Sequence, residues 1–331
     1  MKNLILCLTL ATTSFSVAAL AQQTPAGQTR SLSHAIHAVN DLDTTLAFYR
    51  DVFGISGNAQ DFANAGVPLL TNAPGVTLRM SMVALPGGTR FELTHFKGVE
   101  RQPGLAKYTD PGAASLVFYV RDIDVLVAAA KKAGATIVTT GGAPVQVTTD
   151  NGKARSIILR DPDGFFLQLV EEAPVADVPE GNVHRVSLAY TMEDAPATKN
   201  FYTGMMGIEL TGSSVFTKDA ALARLVGAPE NVEFRTLTGT LPPNAKVQFT
   251  EFRGVPRTKF DLRVRDPGAP AVAIQVTNLE GMIAQMKAAG VNVLSTNGEL
   301  VDFGNGVYTI FVEDPSGMNL ELFERPAAPQ R

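Results

Sequence analysis

The sequence predicts an α+β fold made of four βαβββ modules in series. Two observations lead there. The first is an internal repeat: AFYRDVFG at 47–54 returns as NFYTGMMG at 200–207, FELTHFKGVER at 91–101 as VQFTEFRGVPR at 247–257, and LRDPDGFFLQLVE at 159–171 as VEDPSGMNLELFE at 312–324. The matches keep their order at nearly one spacing, as a duplicated domain does. The second is that each repeat divides again into a strand, a helix of apolar 3.6 spacing and further strands. One helix per module covers one face of an antiparallel sheet, and the other face is left free to curve around a ligand.

His34 to Val39 alternates as a strand. Asp41 to Phe53 carries helical apolar spacing at Leu42, Leu46, Tyr49 and Phe53, with Asp41 or Asp43 as cap and Gly54 as stop. Strands are expected at Val76–Val83 and Thr89–Phe96. The second module has a strand at Ser115–Val120 and a helix at Asp122–Ala133 stopped by Gly134. Its remaining strands are expected at Ala135–Thr139, Ala154–Leu159 and Phe165–Glu171, the last two joined by the turn DPDG. The second repeat follows the same plan, with helices near Glu193–Met206 and Leu279–Ala289. The stretch EEAPVADVPEGN at 171–182 is rich in Pro and acid and marks the boundary. The expected domains are therefore 31–172 and 183–326, with a linker at 173–182 and a tail at 327–331.

The N-terminal segment reads as a secretory signal. Lys2 is followed by a mostly apolar run from Leu4 to Val17, and Ala19-Leu20-Ala21 is a small-residue cleavage site. Residues 1–21 would be removed, 22–30 would form a flexible leader, and the protein would be periplasmic or secreted. The single cysteine, Cys7, lies in the signal, so the mature chain would have neither a disulfide nor thiol chemistry. The chain has 331 residues, a net charge of −4 and 45% hydrophobic residues, which suits a large core. No run of one charge suggests a nucleic-acid or membrane partner. A small-molecule ligand is expected, on a two-domain monomer or a homodimer.

This organisation resembles the vicinal oxygen chelate superfamily, which includes glyoxalase I, extradiol dioxygenases and bleomycin resistance proteins. The resemblance is carried by His34 with Val39-Asn40-Asp41-Leu42, Phe48-Tyr49, Phe53-Gly54, Glu92-Leu93-Thr94, Asp161-Pro162-Asp163-Gly164 and Asp314-Pro315-Ser316-Gly317. It implies two glyoxalase-like domains whose paired modules curve into cups, with metal ligands on the first and last strands of each module. In the first domain those positions are His34, Glu92, Ser115 and Gln168. In the second they are Ser187, Gln248, Ala271 and Glu321.

Transition-metal sites favour at least three donors from His, Asp, Glu or Cys. The first domain offers His34 and Glu92, with Gln168 as a weaker third through its amide oxygen. The expectation is therefore a first-domain cup without a tightly held metal, a divalent ion being admissible there only. Strand alternation aims Thr94, Ser115, Tyr119, Phe166 and Gln168 the same way as His34 and Glu92, as a lining for a small organic ligand. His37 and His184 are expected on the opposite face, His184 as an exposed strand-start residue. Phe62–Pro74 and Lys218–Glu230 occupy the place of a pocket-covering insertion, and Arg101 and Arg257 read as solvated linker residues. The second-domain cup reads as a structural duplicate.

Three functional readings stand side by side. One is a glyoxalase- or isomerase-type activity in which His34 or Glu92 moves a proton. Another is a metal-dependent lyase or dioxygenase using His34 and Glu92. The third is a non-catalytic protein that binds or sequesters a small molecule.

Overall fold

The structure is a computed structural model that describes residues 27–149, 151–173 and 180–326. The signal, most of the leader, much of the linker and the tail lie outside the described residues. Module 1 comprises β1 (Gln28–Ala38), α1 (Leu42–Phe53), β2 (Gln60–Phe62), α2 (Val67–Leu70), β3 (Thr77–Ala84) and β4 (Arg90–Lys97). Module 2 comprises β5 (Ala114–Val120), α3 (Ile123–Lys132), β6 (Thr136–Ile137), β7 (Val145–Thr149), β8 (Gly152–Arg160) and β9 (Phe166–Glu171). Module 3 runs through β10 (Val183–Met192), α4 (Ala195–Lys199), β11 (Leu210–Gly212), α5 (Ala220–Leu225), β12 (Glu233–Leu241) and β13 (Ala245–Arg253). Module 4 contributes β14 (Pro270–Thr277), α6 (Leu279–Ala288), β15 (Val301–Asp302), β16 (Tyr308–Glu313) and β17 (Asn319–Glu324).

The first helix begins at one of its two expected caps. The Asp41 carboxylate accepts from Thr44 N–H at 2.8 Å, and Gly54 ends α1 in the left-handed region at φ 70°. Asp122 caps α3, Asp194 caps α4 and Asn278 caps α6. The third helix departs from expectation, since α4 passes into a π-helical turn over Asn200–Met205. Strand β6 is shorter than expected, and β8 instead forms a hairpin with β7, which the sequence pattern did not mark. No helix among the described residues is long and apolar enough to cross a membrane.

The modules do not pair within each sequence repeat. The first sheet has strand order β15-β16-β17-β14-β1-β4-β3-β2, joining module 1 to module 4. The second has order β11-β12-β13-β10-β5-β9-β8-β6, with β7 beside β8, joining module 2 to module 3. The first sheet thus takes four strands from each repeat, and the second takes five from the first repeat and four from the second. The seams are antiparallel, β1 against β14 and β5 against β10.

Modules 1 and 2 meet instead through their helix-covered sides. Phe53 packs on Phe118 with ring centroids 4.7 Å apart, and His37 stacks on Phe165 at 4.5 Å. Phe53, Phe118 and Phe165 belong to one large core that also takes Tyr49, Phe201, Phe249 and Met282, so all four modules share it. Burial of this apolar surface, without a disulfide among the described residues, supplies the main stabilising term.

The two Asp-Pro-x-Gly turns lock this packing. Asp161 Oδ1 accepts from the backbone N–H of Asp163 and Phe165, each at 3.0 Å, while Oδ2 accepts from Tyr49 at 3.1 Å and lies 2.9 Å from His37 Nε2. Asp314 repeats the arrangement with Ser316 N–H, Met318 N–H and the Tyr202 hydroxyl. Tyr190 stands in the place of His37 in this second copy, and without an imidazole partner burial pushes the Asp314 carboxyl up from 3.8 to about 6.

A pKa raised on folding means that the native carboxyl holds its proton more tightly than the unfolded chain does. Its contribution to stability is therefore greatest below about pH 4 and is lost as pH rises through about 6. Relative to Asp314→Asn, the natural protein should lose up to about 3 kcal/mol between pH 4 and 7. Denaturant unfolding of both proteins across that range measures the difference, and parallel curves would refute it.

Candidate functional site

The seam of the first sheet assembles an ionisable cluster on its concave face. His34 on β1 stands opposite Ala273 on β14, and Ala273 stands opposite Glu321 on β17. Glu92 on β4 is level with Ile36, one step along β1 from His34 on the same face. Strands are about 4.8 Å apart, so the small side chain of Ala273 leaves space for His34 and Glu321 to lean toward each other. A bulge in β1 between Leu32 and His34 resets the alternation just before the imidazole.

His34 Nε2 lies 3.1 Å from Glu92 Oε2, yet it is a buried atom without a well-directed hydrogen bond. Its Nδ1 contacts Ser33 Oγ at 3.0 Å. Thr94 donates to Glu92 Oε1 at 2.6 Å, and Thr309 donates to Glu321 Oε1 at 3.0 Å. Burial raises the Glu92 carboxyl, but the contact with His34, the imidazole charge and the Thr94 hydroxyl outweigh it and leave it below its ordinary value. Burial raises Glu321, the His34 charge opposes that, and the Glu92 charge adds to it. The three side chains therefore act on one another electrostatically.

Two sequence expectations change here. Gln168, Ser115, Tyr119 and Phe166 lie on the second sheet, because β5 pairs with β10 and not with β1. They do not join His34 and Glu92, whereas Thr94 does. Glu321, which the sequence places in the second-domain cup read as a structural duplicate, is the residue that joins the pair. The donor set is thus His34, Glu92 and Glu321, with Ala271 at the fourth position.

Segment 62–74 covers this face. Helix α2 buries Val67 and Leu70 in an apolar cluster with Ile36, Ala271, Ala273 and Phe311. The Ser295 hydroxyl donates to Leu70 O at 2.9 Å and pins the helix end. Segment 218–230 does the same on the second sheet, where α5 buries Ala223 and Leu225 against Ile158 and Phe166, and Thr139 donates to Leu225 O.

On the second sheet the corresponding row is Gln168, Val117 and Ser187, with Gln248 level with Ala189. A cavity of about 850 Å³ opens over Gln168, Tyr119, Ser187 and Gln248. Ser115 and Phe166 are buried away from it beneath Tyr108, which reaches Ser115 Oγ at 3.2 Å and meets the Phe166 ring edge-on at 5.2 Å.

Other residues also depart from expectation. His184 is buried, at 2% exposure, and borders that cavity. A bulge between Val183 and Arg185 upsets the alternation that placed it outside. Arg101 donates to Val39 O and Asn40 O, and Arg257 to Met192 O and Glu193 O, so both tie strand ends and are not simply solvated.

Among the described residues, the group of three ligand-type side chains whose ligand atoms lie within 4.8 Å of one another is His37, Asp161 and Asp163. Its oxygens are already engaged, Asp161 as above and Asp163 by Asn40 N–H at 2.8 Å and Thr45 Oγ1 at 2.6 Å. That group is structural. His34, Glu92 and Glu321 are gathered more loosely.

Comparison with known proteins agrees with this architecture. A family model described as Glyoxalase/Bleomycin resistance protein/Dioxygenase superfamily matches residues 31–169 and again 184–322. A virulence protein of Salmonella typhimurium is 30% identical over 139 residues, 42% of this chain and 81% of that protein. Glyoxalase I from Zea mays superposes with a TM-score of 0.58 at 20% identity, covering 90% of this chain and 92% of that one. A putative dioxygenase from Bacillus subtilis gives 0.53 at 13% identity, covering 91% and 87%. These two structural likenesses are likenesses of fold. With both repeats matched along nearly their whole length, the chain belongs to the Glyoxalase/Bleomycin resistance protein/Dioxygenase superfamily.

Proposed function

We propose that this is an exported protein that acts on a small organic molecule at the concave face of the first sheet, with His34, Glu92 and Glu321 holding an exchangeable divalent ion. The observation that carries the reading is the convergence of one imidazole and two carboxylates from modules 1 and 4 on a single face. The donor chemistry fits: His34 Nε2 faces Glu92 Oε2 at 3.1 Å without a well-directed hydrogen bond, and three His/Glu donors match an open catalytic site. Their loose gathering suits an ion that exchanges. When bound, such an ion would polarise ligand oxygens.

The protein's own groups do the rest. Thr94 and Thr309 orient the two carboxylates, as outer hydroxyls do around ligands. Helix α2 shields the face from water. Export rests on the signal-like N-terminus and on the single cysteine falling within it.

Adding Mn²⁺ or Ni²⁺ to the mature chain should raise its Tm. At a hundredfold excess over Kd the gain is about 2.7 kcal/mol. His34→Ala should abolish the shift while folding normally. An unshifted Tm in the natural protein would overturn the metal part of the reading.

A further inference from the structure

The two cups are related residue by residue, and they differ in charge. The positions of His34, Glu92 and Glu321 are taken on the second sheet by Ser187, Gln248 and Gln168. Each glutamate is replaced by the amide of the same length, and the supporting hydroxyls are kept. Gln168 Nε2 donates to Ser156 Oγ at 3.1 Å, where Thr309 supports Glu321. Gln248 Nε2 donates to Thr250 Oγ1 at 3.2 Å, where Thr94 supports Glu92. The geometry of the ring survives and its negative charge does not.

This cup is also the roomy one. Its cavity of about 850 Å³ falls within the range of small-molecule sites. Val117, Val147, Val170 and Ala189 give it an apolar floor. Each amide spends one of its two N–H donors on Ser156 or Thr250 and keeps the other, with its oxygen, for a ligand. The Tyr119 hydroxyl lies 3.3 Å from Ser187 Oγ. Arg185 is paired with Glu172 and stacks on the Tyr119 ring, so its charge is spent within the wall.

His184 lies at the edge of this cup with its ring buried, 2% exposed, so it packs within the wall next to Glu172 and does not face the cavity. Burial lowers its pKa, which favours the neutral imidazole and adds no charge to the cup.

We infer that the concave face of the second sheet is a separate, metal-independent site for an uncharged organic molecule that has an apolar body and exchanges hydrogen bonds with the amides and Ser187. It is not a vestige of the first. The amides and Ser187 are poor ligands for a divalent transition metal, but they suit hydroxyl or amino groups held above an apolar floor.

The test is fluorescence titration of the full mature chain with 7-amino-4-methylcoumarin, an uncharged amine with a lactone carbonyl. The expected result is saturable binding of one probe per chain, unchanged by EDTA and by Glu321→Ala in the other cup. Gln248→Leu and Thr238→Trp, both at exposed positions on strands bordering the cavity, should each weaken it at least tenfold. The anionic 3-acetate congener should bind no more tightly than the neutral probe, because Arg185 is paired with Glu172 and the lining also carries Glu209 beside Lys246. Absence of saturable binding up to millimolar probe would overturn the inference. So would binding that both variants leave intact, binding that EDTA or Glu321→Ala removes, or a preference for the anion. Because the first-cup variant is a control here, failure of this site and failure of the metal reading are distinguishable.

Discussion

Replacing Asp161 with alanine is expected to destabilise the protein by roughly 3–5 kcal/mol. The carboxylate is fully buried and engages two backbone N–H groups, Tyr49 and His37. Those partners lie on β1 and α1 of module 1 and in the turn between β8 and β9 of module 2. One side chain thus joins the two halves of the first repeat, which share no sheet. His37 Nδ1 is already unpaired, so losing Asp161 leaves the whole imidazole without a hydrogen-bond partner in the core. Burial raises the Tyr49 hydroxyl's pKa far above its ordinary value, so this group stays protonated and cannot escape the penalty by ionising. Asp161→Asn keeps the shape and one acceptor and should lose less. Denaturant unfolding measures both, and a loss under about 1 kcal/mol for Asp161→Ala would show that the turn is not what locks the modules together.

Much of this architecture is legible in the sequence because it is local. Asp41, Asp122 and Gly54 mark helix ends through short-range hydrogen bonds and backbone conformation, and α1 and α3 fall within a residue or two of their expected bounds. The Asp-Pro-x-Gly turns are local in the same way. Helices α2 and α5 span only Val67–Leu70 and Ala220–Leu225, too short for a periodic signal, although their segments were expected to cover a pocket. His184 was misplaced because counting alternate residues fails across a bulge.

The site was half legible for a different reason. His34 and Glu92 lie within one module and face the same way by alternation alone. Glu321 reaches them only because β1 pairs with β14 from the far end of the chain. Neighbouring segments usually pair, so the repeat invited Gln168 as the third residue. Edge-to-edge pairing of whole modules is decided by long-range packing. Here the helix-covered sides of modules 1 and 2 meet at Phe53 and Phe118, leaving each open edge to a module of the other repeat.

The second large effect concerns that choice of partner. With Glu321 removed, the donor set falls from three to two, and an ion held by His34 and Glu92 alone should bind at least tenfold more weakly. Thr309 would lose its acceptor, but the β16–β17 ladder would keep the strand in place. Gln168→Ala should change nothing at this site, because Gln168 lies on the other sheet.

The deciding measurement is metal content by elemental analysis, after equilibrium dialysis against micromolar Mn²⁺ or Ni²⁺. It would compare the natural protein, Glu321→Ala and Gln168→Ala. A site shared by modules 1 and 4 predicts close to one ion per chain in the natural protein and in Gln168→Ala, and little in Glu321→Ala. Full retention in Glu321→Ala, or loss in Gln168→Ala, would contradict it.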